Sequence, residues 1–301
     1  MRVVVIANTG ARALLANRID IASLVRLFAE AGVQAEVRLV EGPQLSAAAA
    51  RAASEGVDAV VAAGGDGTVN AVAAGVIGTA AAFGVLPLGT LNHFAKDSHV
   101  PMAIADAIAT IARGETRRVD VGEVNGRIFL NNSSIGLYPH VVRERDAIRE
   151  RLGAGKWTAM FLAVVKLMRR FPLMRVRVHT DNACVCPTLT PFVFVGNNEY
   201  QMNALHMGAR SRLDGGVLSL YMAHVKSRWG MIRLALAALL NRLKQTAPFT
   251  THNTGELRVE TRKRRVRVSV DGEVIHLRPP LLYRTLPAAL RVLAPTPEAA
   301  P

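Results

Sequence analysis

The sequence predicts a parallel α/β domain followed by an antiparallel β-sandwich, and three observations carry that prediction. Over the first 120 or so residues, wholly apolar runs alternate with helix-like stretches, the pattern of strands buried on both faces of a parallel sheet. Beyond Val119, short β-rich runs crowd together with few helices between them, which is the texture of antiparallel sheets. The early apolar runs end in glycine-containing loops, as strands do at the ligand-binding edge of an open α/β sheet.

Taken in order, Val3 to Ala7 is the first buried strand, and Ile21, Leu24, Val25 and Phe28 fall on one stripe of the helix that follows. Glu36 to Val40 reads as the second strand and Leu45 to Ser54 as an Ala-rich helix. Asp58 to Ala63 is the third strand; it runs into Gly64-Gly-Asp-Gly-Thr68, and a helix is expected from Val69. Phe83 to Leu86 is the fourth, ending in Pro87-Leu-Gly-Thr90. Later strands are expected at Ile128 to Leu130, Met174 to His179, Phe192 to Val195, Val217 to Met222, Leu257 to Glu260 and Val266 to Val270. Two helices, about Arg143 to Arg170 and Trp229 to Lys244, interrupt them. The boundary falls near residues 120–126, giving an α/β domain over 1–122 and a sandwich over 123–286. The tail, about 287–301, is expected to pack back on the first domain.

Composition narrows the partners. The 301 residues carry 37 Lys and Arg against 23 Asp and Glu, a formal charge of +14, which draws polyanions. Aromatic residues make up only 5%, too few for base-stacking platforms, and no helix-turn-helix or zinc-finger pattern is present. Nucleic acid is therefore not the expected partner; an anionic membrane surface is. Cys184 and Cys186 lie one residue apart on a strand, too strained to bridge and too few for zinc, and read as buried free thiols. The apolar run at Met1 to Asn8 is too short for a signal peptide, and no stretch reaches the ~18 apolar residues of a membrane span. The expectation is a cytoplasmic protein, peripheral to the inner face of the membrane, with the oligomeric state open and a homodimer compatible.

The strongest chemical signal is Gly64-Gly65-Asp66-Gly67-Thr68, placed where a buried parallel strand hands over to a helix. Glycines allow close approach of backbone to phosphate oxygens, and a helix N-terminus adds N–H donors and a positive dipole end. Asp66 suits Mg²⁺, directly or through water. The bland alternative is a tight turn in which Asp66 or Thr68 caps the helix. Asn8-Thr9-Gly10 ends the first strand and Pro87-Leu-Gly-Thr90-Leu-Asn92 the fourth, so three such loops share one sheet edge. Together they describe a nucleotide site. No Walker lysine or protein-kinase catalytic loop is present.

Gly64-Gly-Asp-Gly-Thr-Val-Asn70 and Pro87-Leu-Gly-Thr-Leu-Asn92-His-Phe-Ala95 resemble the diacylglycerol kinase catalytic-domain family, which includes soluble bacterial lipid kinases and is related to sphingosine and ceramide kinases. Asn131 to Gly136, Leu213-Asp-Gly215 and Asp271-Gly-Glu273 fit its later segments, so the resemblance covers nearly the whole chain. It implies a three-layer α/β nucleotide domain of the NAD kinase and diacylglycerol kinase type, with a β-sandwich after it. It implies ATP contacts from Asn8, Gly65, Asp66, Gly67, Thr68, Asn70 and Thr90, flanked by Thr9, Gly10 and Gly64. It implies Mg²⁺ at Asp214 with backbone carbonyls near Ser211 and Gly216, and Asp271 or Glu273 as general base. Two positions depart from the family: His93 stands where an Asp is common, leaving Asp97 as a partial replacement, and Leu39-Val40 end the second strand in place of a hydroxyl residue.

Residues 265–270 alternate strictly, with Val266, Val268 and Val270 on one face and Arg265, Arg267 and Ser269 on the other, a face Asp271 would continue. Asp271-Gly272 between such runs is also a plain hairpin signal. Trp157 to Arg170 and Trp229 to Lys244 have the basic, apolar character of helices that lie in a membrane interface or, equally, cover a sandwich face. The function expected is ATP-dependent phosphorylation of a hydroxyl on a membrane lipid such as diacylglycerol. The alternatives are an NAD kinase-like enzyme and a nucleotide- or lipid-binding protein weakened in catalysis.

Overall fold

The computed structural model describes residues 1–9, 20–136, 173–181, 184–200, 210, 212–223 and 249–295. The chain divides into two compact units. One holds Met1–Val121, Ala209–Gly216 and Leu286–Pro301; the other holds Gly122–Gly208 and Val217–Thr285.

The first unit alternates β1 (Arg2–Asn8), α1 (Ile21–Glu30), β2 (Gln34–Val40), α2 (Leu45–Ser54), β3 (Ala59–Gly64), α3 (Asp66–Val76) and β4 (Ala82–Pro87). A short α4 (His93–Asp97), α5 (Ile104–Arg113) and the start of β5 (Thr116–Val124) follow. The strands pair in the order β2-β1-β3-β4, all parallel. Every residue of β3 and β4 is buried, as are Val3 to Ala7 of β1, because helices cover both sides of the sheet. α2 packs on α3, and α1 on α5. On α1 only the row through Leu24 and Phe28 is buried. Ile21 and Val25, expected on the same stripe, lie on its flank and are 41% and 37% exposed.

The second unit contains β6 (Arg127–Phe129), β7 (Asn132–Gly136), β8 (Met174–Thr180), β9 (Cys184–Thr190), β10 (Phe192–Asn197), β11 (Leu218–Ala223), β12 (Phe249–Thr254), β13 (Glu256–Thr261), β14 (Val266–Val270) and β15 (Glu273–Leu277). β16 (Leu281–Leu293) begins in this unit. One antiparallel sheet runs β12-β11-β10-β7-β14-β15; in the other, β13 pairs antiparallel with both β16 and β8, and β8 with β9. The inward residues of both sheets, among them Ile135, Val195, Leu220 and Val268 against Val178, Val259 and Tyr283, form one core. That two-sheet arrangement is the sandwich the β-rich texture predicts. Leu286 to Leu293 of β16 returns to the first unit, where Val292 pairs in parallel with Phe83 of β4.

The helices expected over 143–170 and 229–244 lie outside the described residues. Cys184 and Cys186 are on β9, with their side chains outside what is described. Among the described residues no helix is long and apolar enough to cross a membrane.

Candidate active site

Parallel strands bring their carboxyl ends to one sheet edge, and here that edge gathers Asn8, Gly64 and Pro87. The loops leaving it are stitched together. The Thr9 amide donates to the Val40 carbonyl at 3.1 Å, and the Leu88 amide to the Gly64 carbonyl at 3.1 Å. Asn8 Nδ2 reaches Thr68 Oγ1 at 3.5 Å. The first, third and fourth strand endings thus form one constellation, as the sequence order requires.

α3 begins at Asp66, three residues before the expected Val69, since the Val69 amide already closes a helical turn onto the Gly65 carbonyl at 3.0 Å. Gly65 is the N-cap, in extended backbone, and no side chain caps the helix. That removes the capping alternative for Asp66 and Thr68. Asp66 instead occupies the first turn, and its Oδ1 is buried with no hydrogen-bond partner. An orphaned carboxylate oxygen is costly to bury, and such atoms mark places where something else binds. The leading amides of α3 have no intrahelical acceptor, and its dipole favours an anion there. Oxygen donors beside an anion-binding helix end fit Mg²⁺ carried on phosphate.

The glycines are required by contact. A Cβ on Gly89 would meet the Gly65 Cα at 2.4 Å and Asn92 Oδ1 at 2.6 Å, and a Cβ on Gly64 would meet the Thr68 side chain at 2.6 Å. Asn92, in the left-handed region at φ 51°, shapes this loop. Its Oδ1 accepts from the Gly89 amide at 2.9 Å, and its Nδ2 donates to the Gly89 carbonyl at 2.8 Å. Asn92 was not among the predicted site residues. A polar residue able to adopt positive φ after Gly-Thr-Leu was the available signal.

His93 starts α4 and is exposed; Asp97 ends it but does not supply the carboxylate that the resemblance led us to expect after Asn92, because it is committed elsewhere. Asp97 Oδ2 accepts from Arg210 Nε at 2.8 Å, the two side chains being 9% and 0% exposed. The Arg117 guanidinium also reaches the Asp97 carbonyl, at 3.5 Å, while its Nε is buried without a partner. Burial pulls the Arg117 guanidinium below its ordinary value, and the charge of Asp214 opposes that pull. Buried Asp120 accepts from the Gly216 amide at 2.6 Å and the Ala288 amide at 2.9 Å. Asp120 and Asp97 therefore fasten Arg210 and Gly216 into the first unit, which no local sequence pattern announced.

Of the expected second Mg²⁺ set, Ser211 lies outside the described residues, the Gly216 amide, not the carbonyl expected as a ligand, donates to Asp120, and Asp214 pairs with Arg212 at 3.0 Å, 61% exposed. Among the described residues no group of three His, Cys, Asp or Glu side chains could hold a metal. Gly10 also lies outside the described residues. Thr90 is exposed on the Pro87–Asn92 loop, and Asn70 is half-buried on α3. Beside Thr9, a cavity of about 500 Å³ opens between β2 and α2, lined by Arg38, Val40, Glu41, Gln44 and Arg51.

In the second unit, Asp271 and Gly272 are the two turn residues of the β14–β15 hairpin, at φ 44° and 89°. Asp271 does not continue the arginine face. Its Oδ2 accepts from the Leu130 amide at 2.7 Å, and its Oδ1 from the Asn131 and Asn132 amides, both at 2.9 Å. With both oxygens so occupied it is a clamp on the start of β7 and a poor acceptor for a substrate proton. Glu273 is exposed, cross-strand from Val270 and so on the valine side of the hairpin. Arg267 is paired with His276 on the opposite side, and Ser269, expected beside it on an open face, is 4% exposed. The arginines therefore do not flank Glu273.

Residues 2–124 match the sequence profile of the diacylglycerol kinase catalytic domain. A diacylglycerol kinase of Staphylococcus saprophyticus is 39% identical over 98 residues, 32% of this chain and 32% of that protein. One from Staphylococcus aureus strain JH9 is 39% identical over 98 residues, 32% of this chain and 31% of its own. The aligned stretch thus spans about a third of these relatives' length. Among solved structures, a diacylglycerol kinase from Bacillus anthracis str. Sterne superposes with a TM-score of 0.67 at 18% identity, covering 98% of this chain and 97% of that one. An NAD kinase from Archaeoglobus fulgidus in complex with ATP gives 0.51 at 10% identity, covering 97% and 93%. At these identities the structural likeness speaks for the fold alone.

Proposed function

We propose, from the match of residues 2–124 to the diacylglycerol kinase catalytic domain, that the protein is an ATP- and Mg²⁺-dependent lipid kinase acting on a hydroxyl of a membrane lipid such as diacylglycerol. The observation that carries the reading is the buried, unpartnered Asp66 Oδ1 at the start of α3, beside the Gly65–Gly89 contact. Phosphate oxygens would be received by the leading amides of α3, with Asp66 holding the metal and Asn92 fixing the Gly89 backbone. Mg²⁺ supplies neutralisation of phosphate charge, the usual requirement of phosphoryl transfer. The cavity beside Thr9 has the size of a nucleoside subsite. The lipid oxygen attacks the γ-phosphorus, the bond to ADP breaks, and the hydroxyl proton passes to Glu273, the carboxylate whose oxygens are not spent on backbone amides. The substrate would be met at the inner face of an anionic membrane.

The test is transfer of label from γ-labelled ATP to a panel of dispersed diacylglycerol, sphingoid base and phosphatidylglycerol, with NAD in parallel. Labelled lipid supports the reading. Labelled NADP without labelled lipid would establish the NAD kinase alternative, whose fold this chain shares. ATP binding without any product would make the chain a nucleotide-binding protein that has lost turnover.

A further inference from the structure

The connection from β13 to β14 is four residues long, and each is a cation: Arg262, Lys263, Arg264 and Arg265. All four are exposed. Arg267 projects from the outer side of β14, since Val266 and Val268 fill the core. Arg278 lies one position beyond the Val266–Leu277 pair, as Arg265 does, and is exposed too. Among the described residues β15 is the edge of its sheet, with no further strand beside it. Among the described residues no carboxylate pairs with these six cations. Other arginines of the same unit are partnered: Arg177 and Arg258 share Glu260, and Arg284 holds Glu123.

Six permanent charges crowded on a short loop and an edge hairpin repel one another, and a fold keeps such a cluster at a cost that an external anion relieves. We propose that this cationic end of the second unit is the surface by which the protein docks on a bilayer carrying anionic phospholipid. The proposal rests on the lipid kinase reading only in that such an enzyme meets its substrate at a bilayer. Arginine is suited to it because the planar guanidinium binds phosphate oxygens two at a time. A bilayer is favoured over single-stranded nucleic acid because Glu256 to Arg278 contains no Phe, Tyr or Trp on which bases could stack. Glu273 lies at the other end of β14 and on its opposite side, so the docking cations are separate from the proposed base.

The experiment is co-sedimentation with vesicles of phosphatidylcholine alone and of phosphatidylcholine with phosphatidylglycerol, at about 0.1 M salt, where charges interact over only ~10 Å. Each basic residue near an anionic surface strengthens binding about fivefold. The triple variant Arg262→Gln, Lys263→Gln, Arg264→Gln should therefore lose on the order of a hundredfold in affinity for the anionic vesicles. A control removing three charges elsewhere on the unit, Arg127→Gln, Arg177→Gln, Arg258→Gln, should lose less than about threefold. The variant Arg262→Lys, Arg264→Lys keeps the charge but loses the paired contacts to phosphate, so it should bind between the parent and the triple variant, and all should share the parent's unfolding temperature. Equal losses in patch and control variants would overturn the proposal, as would tighter binding of the parent to duplex DNA than to anionic vesicles. Turnover of a monodisperse short-chain lipid separates the two readings. Unchanged turnover in the patch variant with weakened vesicle binding supports docking. Patch-dependent binding with no lipid turnover in the parent sinks the kinase reading alone.

Discussion

Gly65 and Gly89 touch backbone to backbone, and the two are not equivalent. An alanine at Gly89 would place its Cβ 2.4 Å from the Gly65 Cα, about 1 Å inside ordinary contact at 3.4 Å, and neither neighbour is a side chain that can swing away freely. Asn92 Oδ1, at 2.6 Å from the same point, is held by the Gly89 amide. The loops must therefore part by about 1 Å. Misplacement on that scale at a reacting group costs ~10²-fold. An alanine at Gly65 meets the Gly89 Cα at 3.3 Å, which a shift of a few tenths of an ångström relieves. Neither glycine has positive φ, so backbone strain does not enter. We expect Gly89→Ala to lower kcat/KM for ATP about 10²-fold and Gly65→Ala by less than about fivefold. Steady-state kinetics at saturating lipid give both numbers, with thermal unfolding as the folding control. A ranking with Gly65→Ala the worse, or a Gly89→Ala enzyme with parental kinetics, would refute the phosphate-cradle geometry.

Other predictions follow from the buried groups. Asp97→Asn removes the carboxylate paired with the buried Arg210 guanidinium and should cost roughly 3–5 kcal/mol in urea unfolding, whereas Asp97→Asn with Arg210→Met should recover most of it; a double variant no better than the single would show that the ion pair does not set the loss. Asp271→Asn tolerates the turn conformation but keeps one acceptor oxygen where three amides need accepting, so it should lose about 2–3 kcal/mol of stability with kcat per folded molecule intact. Glu273→Gln should do the reverse, lowering kcat ~10²–10⁴-fold at unchanged unfolding temperature; parental kcat would exclude it as base. Burial pushes the Tyr283 phenol up to about 12, the Ser133 hydroxyl opposing part of that. The fold thus favours the neutral phenol, and that stability is complete below the ordinary tyrosine value near 10 and lost as pH rises through about 12. Tyr283→Phe should flatten the decline in unfolding free energy between these limits, and an unaltered slope would assign the decline to other groups.

What the sequence carried and what it did not follows from the range of each interaction. Val3 to Ala7 and Val266 to Val270 were readable because burial repeats along a strand and leaves its period in the residues. The start of α3 was set late, since Gly-Asp-Gly-Thr reads as loop by propensity while the Gly65 carbonyl already closes a helical turn on Val69. Ile21 and Val25 fit the stripe of α1 but not the width of the face it buries. Asp271 is the sharpest case. A carboxylate in an Asp-Gly turn is the same letter whether it accepts a proton or clamps three amides 139 to 141 residues away, and only the tertiary structure distinguishes the two. The Asp97–Arg210 pair spans 113 residues and leaves no local trace.

On this reading Asp66 Oδ1 is left without a protein partner because a metal ion carried on phosphate is its partner in the working enzyme. Transfer of label from γ-labelled ATP to diacylglycerol, compared between the parent chain and Asp66→Asn at saturating lipid, tests this most directly. We expect labelled phospholipid from the parent and a loss of at least ~10²-fold in the variant, with the unfolding temperature little changed. Turnover by Asp66→Asn within a few-fold of the parent would contradict it.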